Sequence, residues 1–250
     1  MPLRIAFDLD GVLADMDAEL LRQAEALFGE KVTRRREERA ADGAGPAETP
    51  PDDEAPASAD AAPASAPPLP KLNLTARQQR KLWARVETIE NFWTTLDEIE
   101  PGIVARLGAV AQERRWEVIF LTKRPQSAGM TAQRQTQQWL ESKGFSLPSV
   151  YVVQGSRGRI AAALGLDIVI DDRPENCLDV IADSTARAIL VWRDDESQMS
   201  AAARRLAIGV VKSVAECLDI LTQADARTEQ QTGVMERVRR LLGLKETASA

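Results

Sequence analysis

Three short apolar runs in this chain each lead into a cluster of chemically active side chains. Leu3-Arg4-Ile5-Ala6-Phe7 runs into Asp8-Leu9-Asp10-Gly11-Val12. Glu117-Val118-Ile119-Phe120-Leu121 runs into Thr122-Lys123-Arg124-Pro125, and Asp167-Ile168-Val169-Ile170 into Asp171-Asp172-Arg173-Pro174-Glu175-Asn176. Aspartate at a strand end is often turn chemistry and nothing more. Two acidic pairs after apolar runs fit that reading poorly, because charges gather beside a core chiefly when they pair or hold a metal. Clustered carboxylates repel one another, and a hard cation joins them. With oxygen as the donor, Mg²⁺ is the natural choice. A carboxylate beside such an ion can attack phosphorus and form an aspartyl phosphate. A second carboxylate two residues on can protonate the leaving oxygen and then deprotonate water. Gly11 permits the tight turn that aims both side chains at one space.

Composition removes the main competitors. The 250 residues include no histidine, which excludes Ser-His-Asp and Cys-His catalysis and histidine-ligated zinc. Cys177 and Cys217 are the only cysteines and lie far apart, so neither a disulfide framework nor a thiolate metal site is indicated. The net charge of −6 argues against a general nucleic-acid or anionic-membrane binder. Residues 40–70 carry Asp42, Glu48, Asp52, Asp53, Glu54 and Asp60 with no Lys or Arg, so the rest of the chain is near neutral. No apolar run approaches the ~20 residues of a membrane helix. The start, Met1-Pro2-Leu3-Arg4, passes directly into a strand-like pattern unlike a signal peptide, so a cytoplasmic location is expected.

The elements that position these clusters follow from periodicity. Val150–Val153 and Ala188–Trp192 are two further apolar runs, giving five expected strands. Between them lie helical patterns at 15–30, from Thr75 through Val86, after Pro101-Gly102, at 130–143, 157–164, 175–183 and 214–222. Short apolar strands alternating with helices predict an α/β fold: a doubly wound, Rossmann-like, parallel five-stranded sheet buried on both faces. Ligands of such sheets bind beyond the carboxyl ends of the strands, where the three clusters fall. Residues 15–100 exceed a simple crossover and predict a small helical cap inserted after the first strand. The expected division is therefore an α/β core (1–14 and 101–222), a helical cap (15–39 and 71–100), a linker (40–70) and a C-terminal tail (223–250). The linker holds 8 of the 13 prolines and no aromatic residue, and is expected to be disordered because it cannot bury enough apolar surface to order itself. Arg34–Arg39 reads as a solvated helix end, and Val234–Leu242 as a short basic amphipathic helix.

The motifs resemble those of the haloacid dehalogenase superfamily of phosphatases. Asp8-Leu9-Asp10-Gly11-Val12 is similar to its first motif, Leu121-Thr122 to its second and Ile170-Asp171-Asp172 to its fourth, in order and spacing across residues 3–192. Phe7–Asp15, Asn91-Phe92-Trp93 and Pro101-Gly102 further resemble its 5′(3′)-deoxyribonucleotidase group. The resemblance implies that Asp8 is the nucleophile and a Mg²⁺ ligand. Asp10 would be the general acid and base and would touch the metal through its backbone carbonyl. Thr122 would hold a phosphoryl oxygen, and Asp171 and Asp172 would complete the metal site. The third motif usually supplies a lysine. Here Arg157 stands in that place, 14 residues before Asp171, with Lys123 and Arg159 as substitutes. Arg157 is expected to pair with Asp172 or Asp171 at rest.

Phe92 and Trp93 have two readings, stacking on a nucleobase or filling the cap's own small core. Lys123 and Arg124 suit either phosphate or acidic neighbours. The expected substrate is a small phosphorylated molecule, foremost a nucleotide. Another phosphatase substrate, such as a sugar phosphate or a nucleic-acid end, and a non-catalytic phosphate-sensing protein on the same fold remain as alternatives.

Overall fold

The computed structural model describes residues 2–29, 74–195 and 208–224. The linker 40–70, the arginine cluster 34–39 and the helix expected at 234–242 lie outside them. Six strands form one sheet: β1 (Arg4–Asp8), β2 (Glu117–Thr122), β3 (Ser149–Val152), β4 (Ile168–Asp171), β5 (Arg187–Val191) and β6 (Gly209–Val211). Their order is β3-β2-β1-β4-β5-β6 and every neighbouring pair is parallel. The parallel α/β fold stands as expected, with one correction: the sheet has six strands, not five. Gly209-Val210-Val211 is too short to announce itself by pattern, and it is a strand because its backbone continues the sheet beyond Ile189–Val191. A short edge strand of this kind also limits the exposed hydrogen-bonding row.

The order in which strands are added reverses between β1 and β4, which makes that junction the topological switch point where such folds bind ligands. The register Phe7↔Ile170 brings the next residues, Asp8 and Asp171, to adjacent strand ends. Asp8 pairs with Leu121, so Thr122 follows on the other side.

The helices are α1 (Met16–Phe28), α2 (Ala76–Thr88), α3 (Ile103–Arg114), α4 (Ala132–Ser142), α5 (Arg157–Leu164) and α6 (Pro174–Asp183), with a last one, α7, over 214–224. Local chemistry sets their starts. The Asp15 side chain accepts from the Ala18 amide at 3.0 Å. Thr75 caps α2 and forms a capping box with Gln78. Glu98 accepts from the amides of Gly102 and Val104, both at 2.9 Å, at the head of α3.

Alternation along the strands divides the core. Ile5 and Phe7 face one layer with Phe120, Val150 and Ile170; Ala6 faces the other with Leu121, Val169 and Leu190. Leu20 and Ala24 of α1 and Leu82, Trp83 and Val86 of α2 belong to the same apolar cluster as Ile5 and Phe7. The inserted helices are therefore packed continuously with one face of the sheet. Among the described residues no helix is long and apolar enough to cross a membrane.

On the second face α5 and α6 approach very closely. A Cβ on Gly158 would stand 2.0 Å from the Asp179 carbonyl oxygen, so only glycine fits there. Gly158→Ala is expected to lower unfolding stability by about 1–3 kcal/mol, the usual cost of overpacking. Urea denaturation measures it, and an unchanged midpoint would show that the two helices separate freely.

Candidate active site

Asp8 ends β1 and Asp171 ends β4, and both are buried. Asp172 sits one residue on. One carboxylate oxygen from each of the three lies within 4.8 Å of the others. Gly11 makes room for this: its φ is +90°, and a Cβ there would meet the Asp172 Oδ2 at 2.1 Å. Asp171 is fixed by three hydrogen bonds from two donors. The Asn176 side-chain amide donates to both carboxylate oxygens at 3.0 and 2.9 Å, and the Arg173 backbone amide donates at 2.9 Å.

Arg157, the first residue of α5, is only 2% exposed and reaches under these strand ends. Its Nη2 donates to Asp8 Oδ1, and its Nε lies 3.6 Å from Asp171 Oδ2. The expected pairing with Asp171 is present. Its second carboxylate partner is Asp8, which ends the strand next to β4. Arg157 Nε and Nη1 have no hydrogen-bond acceptor, so a buried cation keeps donors to spare at the floor of the cleft. Arg159 points away: its side chain is 85% exposed and its nearest carboxylate, Asp183, is 3.9 Å off.

Asp10 turns to a different cation. Arg124 grips its carboxylate through Nε, at 3.1 and 3.0 Å, and through Nη2 at 2.7 Å. Thr122 Oγ1 donates to Asp10 Oδ2 at 3.2 Å. The Asp10 carboxylate is thus directed to Arg124 and Thr122 and is not part of the three-carboxylate group. Arg124 itself is closed to solvent. Its Nη1 donates to Thr136 Oγ1 at 2.9 Å, and its guanidinium lies 5.0 Å from the Trp93 ring and 6.0 Å from Trp139.

Electrostatics follow from the burial. Loss of solvent raises the Asp8 carboxyl well above the ordinary carboxylate range. Asp171, Asp172 and Asp10 push the same way, and Arg157 opposes them. Burial also raises Asp171, against Arg157, the Asn176 amide and Arg173. The donor set fits a hard divalent cation: three carboxylate oxygens close together, two of them on groups that burial makes costly to ionise alone.

Raised carboxyls make the folded state the better proton binder. Without a cation, their contribution to stability therefore falls as pH climbs above the ordinary carboxylate range. A cation binds the ionised form and reverses the trend. Added Mg²⁺ is expected to raise the melting temperature more at pH 7 than at pH 5. An equal shift at both pH values would place the ion elsewhere. Burial also pushes both thiols up, Cys217 to about 12 and Cys177 further, which leaves neither ionised at neutral pH.

The cleft above these groups has a volume of about 390 Å³, and Lys123, Arg157, Asp172, Trp192 and Arg193 are among its lining. Lys123 is therefore at the cleft. Phe92 is not. It is fully buried, packed edge-to-face on Trp93 with centroids 4.9 Å apart, and the stacking expectation is corrected: the apolar core has taken it. Trp93 is also closed to solvent. Its indole Nε1 donates to the Pro125 carbonyl at 3.0 Å, and its backbone amide to Gln135 Oε1 at 2.9 Å. It borders the cleft beside Arg124, whose guanidinium lies over its ring, and exposes no surface to solvent. The part-exposed aromatic of the cleft is Trp192, whose Nε1 is fixed by the Asp195 carbonyl at 3.0 Å. Sequence reasoning missed Trp192, Asn176 and the role of Arg193. The signal available was position alone, since each follows a strand end.

No family model matches the chain, and no curated protein matches it. Several solved structures do. One, provisionally identified as a β-phosphoglucomutase from Thermotoga maritima, is 17% identical, with 88% of this chain and 99% of that chain covered and a TM-score of 0.48. A haloacid dehalogenase-like family hydrolase from Xanthomonas campestris is 16% identical, with 92% and 98% covered and a TM-score of 0.47. A HAD family hydrolase from Deinococcus radiodurans, solved with phosphate and sodium bound, is 15% identical, with 89% and 96% covered and a TM-score of 0.45.

Proposed function

We propose that this chain is a Mg²⁺-dependent phosphomonoester hydrolase of the haloacid dehalogenase type, acting through an aspartyl phosphate on Asp8 and taking a nucleoside monophosphate as substrate. The observation that carries the reading is the buried Arg157 guanidinium, paired with Asp8 and Asp171 and keeping unfilled N–H donors at the floor of the cleft. A desolvated cation with spare donors beside a carboxylate suits a phosphoryl group, whose oxygens accept strong charge-assisted hydrogen bonds.

A carboxylate oxygen of Asp8 forms a bond to phosphorus as the phosphorus–ester oxygen bond breaks. Asp10 gives its proton to the departing oxygen. Water then attacks the same phosphorus and passes a proton to Asp10. The acyl phosphate bond breaks, restoring the Asp8 carboxylate and releasing phosphate. Thr122 and Arg124 fix the direction of the Asp10 carboxylate during both transfers. Arg157 stabilises charge on the phosphoryl oxygens. Mg²⁺ held by Asp8, Asp171 and Asp172 would supply further neutralisation of the same oxygens. Helices α1 and α2, within 15–39 and 71–100, act as a cap, and the core comprises the sheet with α3 and the helices that follow.

Trp192 takes the stacking role that the sequence offered to Phe92 and Trp93. It presents an indole to the cleft from the end of β5 while packing against the apolar cluster on the second face of the sheet. Trp192→Ala is expected to raise KM for a nucleoside monophosphate ~10-fold, within the range of one base–aromatic stack, and to leave glycerol phosphate unaffected. An equal loss for both esters would remove Trp192 from base recognition. The reading as a whole is tested by Mg²⁺-dependent phosphate release from a panel of nucleotides, sugar phosphates and 3′-phosphorylated oligonucleotides. Fastest release from nucleotides supports it. Faster release from another ester moves the substrate, and no release from any leaves a phosphate-sensing protein.

A further inference from the structure

Arg193 and Glu100 form a network that the chemistry above does not use. Arg193 follows β5. Its Nη1 donates to the Gly11 carbonyl at 2.6 Å, and its Nη2 donates to the Val12 carbonyl at 3.1 Å and to Glu100 Oε1 at 2.8 Å. Glu100 in turn accepts from the first amides of α7: Val214 at 2.8 Å and Ala215 at 3.0 Å. Both side chains are mostly covered, at 30% and 21% exposure. The Arg193–Glu100 ion pair thus joins four parts of the chain: the turn at 11–12, Glu100 before α3, Arg193 after β5 and the start of α7.

The two carbonyls it holds belong to the residues directly after Asp10. Gly11 has a left-handed backbone, and its α-carbon lies against Asp172, so Asp172 bounds this peptide on one side and Arg193 holds its oxygen. The turn closes on itself through Gly11 N–Ala14 O, Leu13 N–Leu9 O and Ala14 N–Leu9 O hydrogen bonds. Those bonds fix the turn's shape. Its orientation relative to β5 is fixed from outside by Arg193. Glu100 makes the hold rigid: its charge is satisfied by helix amides, where an anion is favoured, and it anchors the Arg193 fork in one direction.

We infer that Glu100 and Arg193 act as a positioning pair that sets the Asp10 turn against Asp8; this rests on the phosphatase reading for its consequence in turnover. Neither residue need touch the reacting atoms. The effect passes through the Gly11 and Val12 peptides, and small misplacements of a proton-transferring group cost rate far more than binding. The pair therefore acts on kcat and leaves KM nearly constant.

Four variants of the full chain test this: Arg193→Ala, Arg193→Lys, Glu100→Gln and the double variant Arg193→Ala/Glu100→Gln. Two readouts are taken beside the melting temperature. The first is amide hydrogen exchange in the peptide covering 9–14, with the α5 peptide as the internal reference. The second is steady-state phosphate release. Arg193→Ala is expected to speed exchange of the 9–14 peptide ~10-fold or more, leaving α5 unchanged. It should lower kcat ~10- to 100-fold with KM within ~3-fold of wild type. Arg193→Lys should restore part of both, since an ammonium reaches one carbonyl but not two and a carboxylate together. The double variant should be little worse than Arg193→Ala, because the residues work as one unit.

Unchanged exchange in Arg193→Ala would overturn the inference. So would faster exchange with unchanged kcat, or a kcat loss that Arg193→Lys fails to relieve. If wild type releases no phosphate while the 9–14 peptide still responds to Arg193→Ala and to Glu100→Gln, the clamp stands and the phosphatase reading fails.

Discussion

Asp8→Asn is expected to cut turnover to well under a few per cent of wild type, with a loss of ~10⁴-fold or more, on the scale seen when a covalent enzyme loses its nucleophile. An amide nitrogen and carbonyl replace the carboxylate at nearly constant volume, so packing at the end of β1 is kept. The carbonyl can still accept from Arg157 Nη2, the bond that Asp8 Oδ1 now accepts. Stability should not suffer. Burial and the neighbouring carboxylates already hold the Asp8 carboxyl well above its ordinary range, so a neutral side chain is tolerated there, and its presence relieves repulsion with Asp171 and Asp172. The melting temperature at neutral pH without cation should match or exceed that of wild type. Activity above a few per cent on the best substrate would remove Asp8 from the covalent role. Loss of activity together with a collapse in melting temperature would point to folding instead.

Arg157→Ala is expected to lower kcat by ~10²-fold or more, the scale of losing one preorganised charge-stabilising donor. It differs from Asp8→Asn in its effect on folding. The guanidinium is almost wholly buried and faces two buried carboxylates. Removing it leaves both without their compensating charge, a change that costs about 3–5 kcal/mol in comparable buried pairs. Excess Mg²⁺ should recover part of that stability, since the ion is then the remaining cation for the same carboxylates, but little of the turnover. Arg157→Lys separates two designs of the site. An ammonium on a shorter reach serves one carboxylate well and two poorly. Near-normal turnover would mean that a point charge is sufficient at this position. Poor turnover with retained stability would mean that the site depends on the guanidinium fork. If Arg157→Ala matched wild type in both turnover and melting temperature, the charge-stabilising role would pass to Lys123, which lines the same cleft.

Much of this architecture can be read from the sequence, for identifiable reasons. Strands buried on both faces leave unbroken apolar runs, so β1, β2, β4 and β5 are visible from Ile5, Phe120, Ile170 and Leu190 alone. The edge strand β6 is not, because three residues paired on one side carry little hydrophobic signal. The acidic pairs stand out because charge directly after an apolar run is costly without a purpose. Their partners do not stand out. That Arg124 takes Asp10 and Arg157 takes Asp8 depends on which strand ends lie together, and the pairing crosses more than 110 residues in each case. The aromatics were ambiguous for a related reason. Phe92, Trp93 and Trp192 all stand near strand ends or turns, and local pattern does not distinguish a ring that lines a cleft from one that holds up a buried arginine. Glu100 shows the same limit: nothing in its local sequence marks it, yet it caps a helix that begins at residue 214.

The covalent bond between Asp8 and phosphorus is the step on which the proposed mechanism turns. Wild-type enzyme is mixed with Mg²⁺ and its best phosphomonoester, quenched in acid within the first turnovers, and treated with borohydride, which reduces an acyl phosphate to an alcohol. Mass spectrometry of the peptide spanning β1 then reads the side chain at position 8. Homoserine is expected at position 8, with aspartate unchanged at position 10 and neither reduction nor turnover in Asp8→Asn. Sustained phosphate release with Asp8 unmodified at every quench time, and release persisting in Asp8→Asn, would contradict it.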